Sequence, residues 1–81
     1  MKIEVYTRPG CGYCNHAKKL LDNRQLTYVE YDVYQQPEHF EELQTRTNGR
    51  TFPQIFIANQ SIGGFTELMA LDKSGKLATP V

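Results

Sequence analysis

The stretch Ile3-Glu4-Val5-Tyr6-Thr7-Arg8-Pro9-Gly10-Cys11-Gly12-Tyr13-Cys14 decides the fold, because it joins a strand to the start of a helix and carries both cysteines of the chain. Ile3 and Val5 alternate with Lys2, Glu4 and Tyr6, the period-two signature of a strand ending near Tyr6 or Thr7. Pro9-Gly10 then breaks the pattern. From about Gly12 to Arg24 the apolar residues Ala17, Leu20 and Leu21 recur at helical spacing, and Lys18 and Asp22 are expected to pair on the wet side.

Beyond this helix, Val29, Tyr31 and Val33 alternate with Tyr28, Glu30 and Asp32, a second strand rich in β-branched and aromatic residues. Strand, helix and strand at this spacing imply a parallel pair with a right-handed crossover. Pro37 suits the first position of a second helix. Glu38, Glu41 and Glu42 favour the positive end of its dipole, and Phe40 with Leu43 supplies a buried stripe. That helix should stop at Asn48-Gly49. Gln54 to Ala58 reads as a buried strand, Asn59-Gln60 as a tight turn, and Ser61-Ile62 as a return strand ended by Gly63-Gly64. Thr66 is the expected N-cap of a last helix carrying Leu68, Met69 and Leu71, with Gly75 beyond its end. The order is βαβαββα, in the α/β class.

With 81 residues, one domain spanning 1–81 is expected, around a single core. A hydrophobic share of 40%, with five Tyr and four Phe, is too apolar for a disordered chain. Nine basic and nine acidic residues cancel, and no Lys/Arg run exceeds Lys18-Lys19. Nucleic-acid binding through phosphate neutralisation is thereby disfavoured, although a local positive patch for a small anion remains compatible with zero net charge. The N-terminus passes directly into the strand pattern, with no apolar run of signal-peptide or membrane-helix length, so a cytoplasmic protein without membrane contact is expected.

In a reducing compartment two cysteines at this spacing serve catalysis or metal binding more often than structure. A helix beginning just after Cys11 places its sulfur beside unpaired N–H groups at the positive end of the dipole, which favours thiolate over thiol. Cys11 is therefore the candidate nucleophile. Cys14, one turn deeper, is the candidate resolving thiol, and Arg8 offers further positive charge. Taken alone, the motif also permits two unreactive thiols or half a zinc site. Zinc needs four ligands, and beyond the cysteines only His16 and His39 remain, at spacings that fit no common finger; both histidines read as exposed helix residues.

Cys11-Gly12-Tyr13-Cys14, Thr51-Phe52-Pro53 and Gly63-Gly64-Phe65-Thr66-Glu67 stand in the order and spacing of glutaredoxins, and the resemblance covers nearly the whole chain. It implies a thioredoxin-like fold, a four-stranded mixed sheet flanked by three helices. It also implies glutathione-dependent reduction of protein–glutathione mixed disulfides and protein disulfides, with Cys11 and Cys14 catalytic. By the same resemblance Thr51, Phe52 and a cis Pro53 face the nucleophile and bind the cysteinyl part of glutathione. Gly64, Phe65 and Thr66 hold its γ-glutamyl carboxylate, Tyr13 packs beside the ligand, and Arg8 joins the glutathione site. Arg46 and Arg50 lie where relatives place basic or amide groups for the glycyl carboxylate, or are solvated charges.

Many relatives carry Asp-Asp where this chain has Thr66-Glu67, so recognition of the glutathione amino group is open to change. Gly12 replaces the usual Pro and is similar to members in which the nucleophilic cysteine and glutathione bridge a [2Fe-2S] cluster between two subunits; otherwise a monomer is expected. Ribonucleotide reductase is a client by resemblance. A related expectation is a redoxin serving that enzyme and reduced by thioredoxin reductase instead of glutathione.

Overall fold

The first strand, β1 (Ile3–Thr7), is buried at every position, although period-two alternation ordinarily marks a strand with one wet face. A computed structural model describes residues 2–77; Met1 and 78–81, the ends of the expected 1–81 domain, lie outside the described residues. The chain continues through α1 (Gly12–Asn23), β2 (Val29–Asp32), α2 (Pro37–Arg46), β3 (Gln54–Ile57), β4 (Gln60–Gly63) and α3 (Phe65–Lys73). This is the expected βαβαββα order and a thioredoxin-like fold. The sheet runs β2-β1-β3-β4. Val5 stands opposite Glu30 in the parallel β1–β2 pair and opposite Ile55 in the antiparallel β1–β3 pair, and β4 returns antiparallel along β3.

An interior strand explains the burial. Ile3 and Val5 pack with Ala17, Leu21, Ile55 and Leu68 under α1 and α3, while Tyr6 packs with Leu43 and Phe56 under α2. Since successive strand residues point to opposite faces, helices on both sides cover all of them. β2 lies at the edge and leaves Val29 44% exposed.

Several local expectations shift. Lys18 reaches across to Glu30 of the neighbouring edge strand at 3.1 Å and not along its own helix to Asp22, because Glu30 is already fixed there by Thr7 Oγ1 at 2.8 Å. Phe40 is 43% exposed, and Leu43 alone makes the buried face of α2. That helix ends at Arg46, short of Asn48-Gly49. Thr47 closes the last turn with its N–H on Leu43 O at 3.0 Å and then runs extended, so no left-handed glycine is needed. The β3–β4 turn is Ala58-Asn59, one residue earlier than expected, with φ of 51° and 67° as a two-residue primed turn requires. The N-cap of α3 is Gly64, not Thr66. Gly75 does end the last helix in a left-handed conformation, with the Lys76 N–H returning to Leu71 O at 3.0 Å.

Burying β1 on both faces takes Glu4 inside at 4% exposure, and Arg46 answers it. The Arg46 guanidinium donates from Nη2 to Glu4 Oε1 at 2.9 Å, and from Nη1 to Oε2 at 3.1 Å and to Tyr6 Oη at 2.9 Å. Tyr31 Oη donates to the same carboxylate at 3.1 Å. The guanidinium also lies 3.9 Å over the Phe56 ring, so one side chain ties the end of α2 to the sheet by charge, hydrogen bonds and stacking. Arg46 accordingly is not a solvated charge but part of a pair that holds α2 to the sheet.

The Arg46 hydrogen bonds hold the Glu4 carboxyl below its ordinary value of 4.5. A depressed folded-state value adds stability that is full above the unfolded value and is lost as pH falls through the folded one. Arg46→Ala strands a buried carboxylate and should cost about 3 kcal/mol near neutrality. In urea titrations the gap from the parent should narrow as pH falls, beginning where burial makes the stranded Glu4 of the variant take up its proton and levelling off only below 4.5, where Glu4 of the parent is protonated as well. A gap independent of pH would contradict this account of the pair.

Candidate redox site

Cys11 follows the Pro9-Gly10 turn, in which Gly10 takes φ of +74°. It has extended backbone angles (φ −98°, ψ 108°) and is the N-cap of α1, its Sγ accepting the Cys14 N–H at 3.1 Å. The Cys11 carbonyl accepts the Asn15 N–H at 3.3 Å. The sulfur thus replaces the hydroxyl or carboxylate oxygen that usually caps a helix and sits at the positive end of the dipole. Cys14 is 1% exposed, whereas Cys11 is half-buried, so the sulfur at the helix end is the more open one. The two are joined as a disulfide with Cα atoms 5.2 Å apart.

The proline loop meets this sulfur directly. Cys11 Sγ lies 3.6 Å from the Phe52 carbonyl oxygen, within reach of a thiol proton in the reduced form. Phe52–Pro53 is a cis peptide, as expected, and Pro53 is fully buried. Gly64 comes up against the loop from the other side: a Cβ there would stand 3.2 Å from the Pro53 carbonyl oxygen. Tyr13, 63% exposed, stacks on Phe65 with centroids 6.0 Å apart. Three blocks distant in sequence therefore converge around one sulfur.

The remaining expected residues take varied positions. The Arg8 guanidinium is exposed and lies 5.6 Å over the Phe52 ring. Thr51 is exposed, and its carbonyl and Oγ1 accept from the buried Gln54 Nε2 at 2.7 and 3.2 Å, which fixes the loop ahead of the proline. Thr66 is an exposed residue in the first turn of α3. Arg50 is exposed and lines a groove of about 600 Å³ with Phe40, Leu43, Gln44 and Phe52. Arg46 is withdrawn to the sheet. His16 is exposed, as expected, but His39 is half-buried against the Tyr31 ring at 4.7 Å.

Glu67 is the site residue that motif reading leaves without a task. Its Oε1 accepts the Gly64 N–H at 2.7 Å. The signal was present, since a glutamate three positions after a cap is the returning half of a capping box.

Among the described residues no group of three or more His, Cys, Asp or Glu side chains is placed to hold a metal ion. The donors present do not fit a metal held within this chain, and Gly12, with open space around it, adds none. Among the described residues no helix is long and apolar enough to cross a membrane.

The sequence profile of the glutaredoxin family matches residues 3–62. Glutaredoxin 1 of Rickettsia bellii is 44% identical over 79 residues, covering 93% of this chain and 81% of its own. The crystal structure of the buckwheat glutaredoxin–glutathione complex superposes with a TM-score of 0.83 at 32% identity, over 93% of this chain and 71% of that one. The glutaredoxin-like protein NrdH-redoxin from Escherichia coli, described as having a thioredoxin-like activity profile, superposes with a TM-score of 0.78 at 28% identity, over 100% and 99% of the two chains.

The capping geometry can be separated from redox chemistry. Neither Cys11→Ser nor Cys11→Ala can form the disulfide, but only the serine keeps an acceptor for the Cys14 N–H. In thermal melts the serine variant should be more stable by about 1 kcal/mol. Equal melting temperatures would show that the sulfur does not cap α1.

Proposed function

Because the chain belongs to the glutaredoxin family of thiol-disulfide oxidoreductases, we propose that it works with glutathione, reducing protein–glutathione mixed disulfides and protein disulfides. The observation that carries this reading is the Cys14 N–H held on Cys11 Sγ at the start of α1. A sulfur anion there gains a hydrogen bond and a favourable dipole that a neutral thiol uses far less.

In the first half-reaction the Cys11 thiolate attacks the glutathione sulfur of a protein–glutathione disulfide. The protein leaves as a thiolate and takes up a proton, and Cys11 is left bonded to glutathione. A second glutathione thiolate attacks that bound sulfur, releasing oxidised glutathione and restoring the Cys11 thiolate. With a protein disulfide, Cys11 first forms a mixed disulfide with the substrate. The Cys14 thiolate then attacks Cys11, freeing the reduced protein and leaving the Cys11–Cys14 disulfide. Ribonucleotide reductase is one client of suitable chemistry. The protein acts as a monomer, one domain over 1–81, in the cytoplasm.

Glutathione is assigned to the surface where the three blocks meet. Backbone groups of Thr51 and Phe52 beside Pro53 take its cysteinyl part, with Tyr13 and Arg8 flanking. Gly64, Phe65 and Thr66, at the α3 N-terminus, take the γ-glutamyl carboxylate. One observation favours a second reading, a redoxin reduced by thioredoxin reductase: the Glu67 carboxylate already occupies the Gly64 N–H, next to where a ligand carboxylate has to dock.

Two measurements decide. Cys14→Ser should retain most of the deglutathionylation rate while Cys11→Ser falls to the uncatalysed background; equal loss in both would overturn the assignment of nucleophile. Separately, the oxidised protein should release thiols with glutathione and not with NADPH and thioredoxin reductase, and the reverse outcome selects the redoxin reading.

A further inference from the structure

Alongside the sulfur site runs a second surface feature, a groove of about 390 Å³ between α1 and α3. Leu20, Phe65 and Met69, all half-buried, give it an apolar floor. Phe65 belongs to both places, since the ring lining the groove also stacks on Tyr13 beside the cysteines. The floor is therefore continuous with the site where disulfides are exchanged. From Phe65 to Lys73 the α3 wall rises about 12 Å, the length of about four residues of extended chain.

The charges at the groove are unbalanced. Asp72 is clamped by Arg24, with Nε to Oδ1 at 2.7 Å and Nη2 to Oδ2 at 2.9 Å, so these two cancel and close one end. Lys19 on α1 and Lys73 on α3 are exposed and have no ion-pair partner among the described residues. In a chain whose net charge is zero, the rim of this apolar groove is thus positive.

We propose that the α1–α3 groove receives the polypeptide flanking the reactive cysteine of a protein substrate, and that it selects segments with acidic side chains around an apolar one. The inference rests on the glutathione reading of the same site and adds the substrate class to it. The apolar side chain covers Leu20 and Met69, and carboxylates meet Lys19 and Lys73. Two exposed cations act chiefly on encounter and orientation, so the selection lies in kcat/KM and weakens with salt.

The test uses the full chain and three synthetic peptides, each with one glutathionylated cysteine and one leucine, flanked by Glu, Gln or Lys. The mixed disulfide of glutathione with 2-mercaptoethanol is the small reference substrate. The acidic peptide should be reduced with a kcat/KM on the order of fivefold above the Gln peptide, with the Lys peptide slowest. In the double variant Lys19→Glu/Lys73→Glu the order should invert while the small substrate is turned over at the parent rate. An active parent without charge preference, or a variant that keeps the parent's order, overturns the groove. A parent inert towards the small mixed disulfide sinks the glutathione reading and this inference with it.

Discussion

One hydrogen bond, from the Cys14 N–H to the sulfur of Cys11, ties the fold to the chemistry. A helix must satisfy its first N–H groups, and here the acceptor at that point is itself a sulfur of the disulfide. The helix start and the more open sulfur of the pair therefore cannot be placed independently. β1, held on both sides by β2 and β3, ends at Thr7, and only Arg8, Pro9 and Gly10 lie between the strand and the cap at Cys11. A slip of the sheet register would carry the sulfur away from the Phe52 carbonyl, because that carbonyl arrives on the segment leading into β3, the other partner of β1.

The second face of the sheet supports this arrangement without entering it. Arg46 fastens the end of α2 to Glu4, Tyr6 and Phe56, and the loop that follows carries Thr51, Phe52 and Pro53 to the sulfur. Gln54 continues the anchoring, burying its amide to hold both oxygens of Thr51. The proline loop thus hangs between two polar anchors, the half-buried Arg46 and the buried Gln54, each with its hydrogen bonds made, as polar groups taken from water must be. Of the basic residues near it, Arg46 is committed to structure, whereas Arg8 and Arg50 remain at the surface.

What was legible in the sequence is what short-range chemistry determines. The strand, the Pro-Gly break, the cysteines and the helix lie within 23 residues, and each obeys a local rule. The proline and glycine blocks were legible only as a resemblance, since nothing local brings either to Cys11. The role of Arg46 was not legible because its partner Glu4 lies 42 residues away, on a strand whose alternation hides that both faces are covered. Helical spacing pairs Lys18 with Asp22 on its own helix because the neighbouring strand, which carries the actual partner Glu30, is invisible to it. Ala58 concealed the hairpin turn for a different reason: alanine is not a residue expected at positive φ, and sheet pairing on both sides overrides that preference.

The start of α3 shows how the residue at a helix cap decides which charge stands at the helix end. A glycine cap has no side chain to offer, so the capping interaction runs only backwards, from Glu67 to the Gly64 N–H. Glycine is held there by space as well, with the Pro53 carbonyl where a Cβ would press. The residue that completes the cap must then come from within the helix and carries its negative charge to the anion-favouring end. A glutamate is long enough to return to Gly64, and under the proposed glutathione reading this leaves the N–H groups of Phe65 and Thr66 as the donors for a ligand carboxylate. Such a ligand meets both an attractive dipole and an adjacent like charge, of comparable magnitude at an exposed site. Under the proposed function the α3 N-terminus would then discriminate weakly by charge and leave selectivity to surfaces with an unopposed sign, of which the rim formed by Lys19 and Lys73 beside this disulfide is one.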